Sequence, residues 1–222
     1  MQLYSRKLYK DGDWNTLCLP FSLTAEQMAA SPLAGAEART LSSASYADGT
    51  LTLNFSEPVE SLTAGTPYII KWEKANDYVD DKEHNIVNPI FYGVTIDNTA
   101  HNVETTNVSF VGTYGYRAFS EENKSILLVG AGNSLYYPLS GASLGSCRAY
   151  FQLNGITAGD LPANGVKMFF GEEDDATSLS GELRVKSVAS DNAVYDLSGR
   201  KVNSQLKKGL YIVNGKKVLI NK

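Results

Sequence analysis

Apolar and polar positions alternate along this chain in short runs of period two, and almost nowhere at the spacing of an amphipathic helix. The most informative run is 14–21, where Leu17, Leu19 and Phe21 share one face and Trp14, Thr16 and Cys18 the other. Both sides are largely apolar, which predicts a strand covered on both faces. Run 148–153 is of the same kind, with Tyr150 out of phase with Phe151 and Leu153. Further strands are predicted at 50–55, 67–72, 90–96, 103–114, 125–130, 135–138 and 166–170, separated by turn residues such as Asp48-Gly49, Asp97-Asn98 and Asn154-Gly155.

Residues 1–10 read as an edge strand, with Leu3, Arg6 and Leu8 in a broken alternation. Asp11-Gly12-Asp13 is expected to join it to the 14–21 strand as a hairpin turn. One helix start stands out. Thr24 and Gln27 form a capping box, Leu23 and Met28 a hydrophobic staple, and Ser31-Pro32 ends the helix after about two turns. Residues 33–47 are rich in small side chains and show no clear period. The sum is an all-β fold, a β-sandwich or a barrel-like arrangement, with one short helix.

The character changes after residue 170. Four consecutive acids, Glu172 to Asp175, open an acidic linker at 173–182, so the main domain is expected at 1–172 and a small β appendage at 183–222. Five very short strands are predicted there, and Asn214-Gly215 between two of them is the strongest local hairpin signal in the chain. So short a segment buries little apolar surface, and is expected to dock on the larger domain or on a partner.

Composition adds to this picture. Among 222 residues, 13 Tyr and 19 Gly against 2 His suit an all-β protein. A net charge of -4 and a pI near 5.3 give no reason to expect nucleic acid as a partner. No run approaches the ~18 apolar residues of a membrane-spanning helix. Residues 1–10 lack the apolar segment of a signal peptide.

Candidate chemistry is thin. Asp11, Asp13 and Asn15 match the start of a calcium loop, but Thr16 and Ser22 stand where it needs Gly and Glu. Asp77, Asp80, Asp81, Glu83 and His84 cluster in a polar segment whose composition favours a solvated loop over a metal site. Glu57, Glu60, Asp77, Asp80 and Asp97 are the acids a glycosidase would draw on, and all lie in polar loop contexts. A Ser-His-Asp site would have to use His84 or His101, and no Gly-x-Ser-x-Gly frames a nucleophile. Cys18 and Cys147 read as buried thiols, with a disulfide as the weaker alternative if their strands lie side by side. No catalytic residue, metal or cofactor is predicted. Aromatic residues near turns are the better candidates, and Tyr114, Tyr116, Tyr136 and Tyr137 are expected to contact a ligand unless strand packing consumes them.

Four motifs occur in order: Asp13 to Phe21, Ala64 to Tyr68, Val111 to Tyr114 and Arg148 to Phe151. Their succession resembles the C-terminal regions of secreted and surface proteins of Bacteroidetes-type bacteria. The tail, Val194 to Val202 followed by Lys208 to Val218, is similar to the short C-terminal sorting segments of such proteins, which direct type IX secretion. The resemblance implies an exported, non-catalytic module for adhesion, ligand display or spacing, secreted or held at the outer cell surface. Its export signal would lie outside this chain. The implied partners are a glycan or a host or cell-surface protein, and the outer-membrane export machinery. The alternative is a carbohydrate-binding accessory module of a polysaccharide-degrading surface protein.

Overall fold

The computed structural model describes residues 1–73, 85–162 and 165–170, and the backbone of four strands between 182 and 220. Two compact units divide the chain, Met1–Val185 and Lys186–Lys222. The first runs through β1 (Lys7–Leu8), β2 (Asn15–Cys18), helix α1 (Ala25–Ala29), β3 (Glu37–Arg39), β4 (Leu41–Ala47), β5 (Thr50–Phe55) and β6 (Pro67–Lys71). It continues with β7 (Ile86–Val87), β8 (Val103–Glu104), β9 (Val108–Thr113), β10 (Arg117–Ala118), β11 (Ile126–Val129) and β12 (Leu135–Tyr136). It ends with β13 (Ser143–Leu144), β14 (Arg148–Leu153), β15 (Val166–Phe169) and β16 (Glu182–Leu183). The protein is all-β with one short helix, and its described strands form open sheets.

Three sheets carry the first unit: β12-β11-β14-β9-β8, β16-β15-β5-β4 and β2-β6-β3. Alternation along the strands decides what each face does. In β14, Ala149, Phe151 and Leu153 point inward, where with Val108, Phe110 and Leu127 they meet Leu41, Leu51, Leu53, Phe55, Val166 and Met168 of the second sheet. Phe110 and Phe151 are directly paired across β9 and β14, and their rings stack at 4.5 Å and 16°. Each of these buried Val, Leu, Phe and Met side chains stabilises the fold by about 1.5–3 kcal/mol.

The third sheet is covered on both sides, as the sequence of β2 predicts. Trp14 and Ile69 join the inter-sheet core, whereas Leu17, Leu19 and Phe21 pack with Tyr68, Ile70 and Met28 of α1 in a second cluster. The helix starts where expected: the Thr24 hydroxyl accepts from the Gln27 N–H, and the Gln27 side chain accepts from the Thr24 N–H. Leu23 and Met28, the two halves of the staple, are both buried. A third cluster, Phe119, Ile126, Leu128, Leu144 and Tyr150, lies on the opposite face of the five-stranded sheet.

Several expectations are corrected. Residues 33–47, without a clear period, hold β3 and β4, and the chain changes sheets at Thr40: β3 pairs with β6, β4 with β5. Asp48 and Gly49 both take positive φ (50° and 76°) and close the β4–β5 hairpin with the two-residue turn that suits its twist. The span 103–114 is two strands, because Thr105 bonds back to Val108 through its backbone and hydroxyl and folds β8 onto β9. Residues 90–96 contribute only a bridge from Ile90 to Gln2, since positive φ at Asn88 and Gly93 breaks the extended run. Asp11-Gly12-Asp13 does not join paired strands. β1 pairs with β7, and the Asn15 side chain clamps the backbone of Tyr9 where a ladder would otherwise run. β15 runs parallel to β5.

In the second unit, β17 (Val194–Tyr195), β18 (Gly209–Val213) and β19 (Lys216–Ile220) form an antiparallel sheet in the order β17-β18-β19. Val213 faces Lys216, the register of a two-residue connection. The Asn214-Gly215 turn itself, most of the acidic linker and the remaining predicted strands of the tail lie outside the described residues. β16, at the predicted start of the appendage, pairs with β15 of the first unit.

β2 approaches the five-stranded sheet closely. The Cys18 N–H donates to the Cys147 carbonyl at 3.3 Å, and a Cβ on Gly112 of β9 would overlap Cys18 Sγ and stand 2.9 Å from its Cβ. Gly112→Ala is therefore expected to cost about 1–3 kcal/mol in denaturant unfolding, as overpacking does. Adding Cys18→Ala should return part of that loss. Simple additivity of the two changes in a double-mutant cycle would show that the two strands do not touch there.

Candidate functional site

The groups with most chemical potential gather where the N-terminal segment meets the end of β14. The chain reverses at Tyr4-Ser5, where Ser5 takes a φ of 59° and its N–H donates to Asn88 Oδ1 at 2.8 Å. The Asn88 N–H donates to the Arg6 carbonyl at 2.8 Å. This turn delivers Arg6 inward between Leu3 and Leu8, and all three are buried; Arg6 is only 1% exposed.

The Arg6 guanidinium meets no carboxylate among the described residues. One η nitrogen donates to its neighbour's carbonyl, on Lys7, at 3.1 Å, and the other donates to the carbonyl of Thr16 on β2. Nε is buried with no hydrogen-bond partner among the described residues. Burial, and then the positive charge of Arg148, push its pKa down to about 9, which leaves it charged at neutral pH. Arg148 is half-buried and makes no salt bridge or side-chain hydrogen bond among the described residues. Burial lowers its pKa too, opposed by the phenols of Tyr9 and Tyr136.

Beside these groups lies a cleft of about 290 Å³, lined by Thr16, Tyr136, Ser143, Gly145 and Arg148 over a floor that includes Leu128. Its lining is mainly polar, and its size is at the small end of ligand clefts, which begin at ~300 Å³. Tyr9, 42% exposed, is held by the Asn15 clamp, and the Lys7 ammonium stands 5.6 Å from its ring centroid. The result is a positive corner with two tyrosines nearby and no internal counter-charge among the described residues.

The four tyrosines expected to form one surface are distributed among different surroundings. Tyr136 packs on the outer cluster and lines the cleft, while its neighbour Tyr137 packs on the inter-sheet core under Lys124. The Tyr114 hydroxyl donates to the Thr99 carbonyl at 3.2 Å. Tyr116 is 70% exposed, comparable with Tyr4 and Tyr92, which the sequence reading did not single out. Arg6 and Arg148 were missed as well. The available signal was a charged residue sharing an apolar alternation with Leu3 and Leu8.

Other candidates lie apart from this corner. His101 Nδ1 contacts the Ala64 carbonyl at 3.0 Å. Asp97 is exposed, and the Thr99 N–H it accepts holds its carboxyl below the usual range. Glu57 and Glu60 are exposed. Asp77, Asp80, Asp81, Glu83 and His84 fall outside the described residues. Among the described residues no group of His, Cys, Asp or Glu is arranged to hold a metal ion, and no helix is long and apolar enough to cross a membrane. Comparison with family models, curated proteins and solved structures finds no match for this chain.

Cys18 and Cys147 are both buried thiols. Burial, reinforced by Cys147, pushes Cys18 up to about 12, and burial also raises Cys147 against the pull of Arg6. At pH 8 this cuts the Cys18 thiolate by about three orders of magnitude relative to an ordinary cysteine. A thiol reagent at pH 8 should therefore find no fast equivalent in the native protein and two after denaturation. Because the folded state keeps the Cys18 proton longer than the unfolded chain, its contribution to stability is present below pH 9 and lost as pH rises through about 12. Alkaline destabilisation should be smaller in Cys18→Ala, and rapid labelling of native Cys18 would contradict the assignment.

Proposed function

We propose that this chain is a non-catalytic module of an exported bacterial surface or secreted protein, whose first unit displays a ligand site and whose C-terminal segment serves sorting. The observation that carries the reading is the division of labour along the chain. The first unit builds a polar cleft on a well-packed all-β scaffold, and residues 186–222 form a separate unit with its own three-stranded sheet. A small unit of this kind can present a compact surface to an export machine without contributing to the cleft. The order of the four motifs and the form of the tail support the same assignment. The expected location is outside the cell or on its surface.

A second reading, a carbohydrate-binding accessory role, is favoured by Tyr136. Tyr136 lines the cleft with Ser143 and Arg148, the combination of an aromatic residue and hydrogen-bonding groups that suits a sugar.

Two measurements test these readings. A reporter carrying an export signal and fused ahead of this chain should reach the surface of a bacterium with type IX secretion, and removal of residues 186–222 should retain it inside. Normal display of the truncated fusion would remove the sorting role. On a glycan array, carbohydrate binding should fall about five- to tenfold in Tyr136→Ala. Binding that ignores this change would place any sugar site elsewhere.

A further inference from the structure

Arg6 is the least expected group in the molecule. A guanidinium carries five N–H donors and is nearly always charged. Here it is 1% exposed, and among the described residues its η nitrogens bond only to main-chain carbonyls and its Nε–H has no partner. A buried charge without a counter-ion costs several kcal/mol in general, so proteins pair such groups or give them an anion. The positive charge of Arg148, which Arg6 feels, worsens the situation.

Arg6 and Arg148 connect to the same cleft. Arg148 lines it directly, and Arg6 donates to the carbonyl of Thr16, which also lines it. Ser143 and Tyr136 add hydroxyl groups to the wall, and the Gly145 backbone leaves the Arg148 stem room: a Cβ there would press on Arg148 Nε at 3.3 Å. The protein as a whole is acidic, at -4, so this corner is a local reversal of sign. A concave, mainly polar site with fixed positive charge concentrates anions. Arg148, whose guanidinium has no side-chain hydrogen bond or ion pair among the described residues, offers the bidentate fork that matches a planar or tetrahedral oxyanion.

We propose that the cleft bordered by Arg148 and backed by Arg6 binds a single oxyanion, a carboxylate or sulfate group, either free or carried on an acidic saccharide. The inference rests on the reading of this cleft as the displayed ligand site, and it names the chemistry of what binds there. The anion supplies the counter-charge that the two arginines lack among the described residues. Arg148 makes the direct contact, the hydroxyls of Tyr136 and Ser143 complete the shell, and Arg6 contributes its field from behind. The cleft volume leaves room for part of the sugar ring next to the charged group.

The test is calorimetric titration of the full chain with sodium sulfate, sodium acetate, sodium glucuronate and neutral methyl glucoside, with chloride added to hold ionic strength constant. Saturable one-to-one binding of sulfate or of a carboxylate is expected, weakened at least tenfold in Arg148→Gln. Arg6→Met should weaken it as well. That variant removes an unpaired buried charge, so its melting temperature in anion-free buffer should equal or exceed that of the native protein. If Arg6→Met does not fold, Arg148→Gln decides alone. Sulfate stabilises any protein by exclusion from its surface, so the measured quantity is binding and its dependence on Arg148, not thermal stability.

Glucuronate binding tighter than acetate assigns the saccharide source; equal affinities assign the anion alone. Anion binding unchanged in Arg148→Gln, or none that saturates, overturns the proposal. If methyl glucoside then still binds in a Tyr136-dependent way, the displayed site stands and only its charge preference is wrong. If neither class binds, the site reading falls with it, and surface export remains separately measurable by the reporter.

Discussion

The first unit depends on how closely β2 can approach the β9–β14 pair. β2 pairs with β6 in its own sheet, yet its Cys18 N–H reaches the Cys147 carbonyl and its side chain occupies the space left by Gly112. The contact locks the third sheet against the five-stranded one. It gives β2 a cover on the side opposite to Leu17, Leu19 and Phe21, so that one strand joins two apolar clusters. Side chains of ordinary size at 112 would hold the two apart. Cys147 accepts the geometry at some cost, with a φ of 52° where non-glycine residues are uncommon.

The same approach creates the electrostatic corner. Holding β2 near the start of β14 brings Thr16 and Arg148 to one cleft, and the turn at Ser5 places Arg6 behind Thr16. Two long-range constraints and one local one meet there: the Asn88 bonds to Ser5 and Arg6, the Cys18–Cys147 link and the Asn15 clamp on Tyr9. Burial there shifts the two cysteines upward and both arginines downward. Elsewhere positive charge is spent differently. Arg39 and Lys71 both pair with Glu37, and Arg39 also stacks on Phe170. Arg6 and Arg148 differ from these in having no acid within reach among the described residues.

Tyrosine richness did not translate into one aromatic surface. Neighbours in a strand point to opposite faces, so Tyr136 and Tyr137 belong to different clusters although they adjoin in sequence. Tyr150 is consumed by packing under the Arg117 guanidinium, 4.9 Å from its ring centroid. A count of aromatic residues near turns carries no information about which sheet face each one occupies.

What the sequence determined by itself is local. The two-sided alternation of the 14–21 run, whose strand is Asn15–Cys18, the strand at 148–153, the alternation of Leu51, Leu53 and Phe55 and the helix start at Thr24 follow the sequence, because a period of two or a capping box is decided within a few residues. The Asp48-Gly49 turn belongs to the same class. The tertiary structure alone decided the parallel β5–β15 pair and the change of sheet at Thr40. It also decided that Arg6, a charge read as part of an edge strand, would be buried beside Arg148 from the far end of the unit. The reason is physical. Burial of a charge and the meeting of two like charges depend on which distant strands close over them, and no spacing along the chain encodes that.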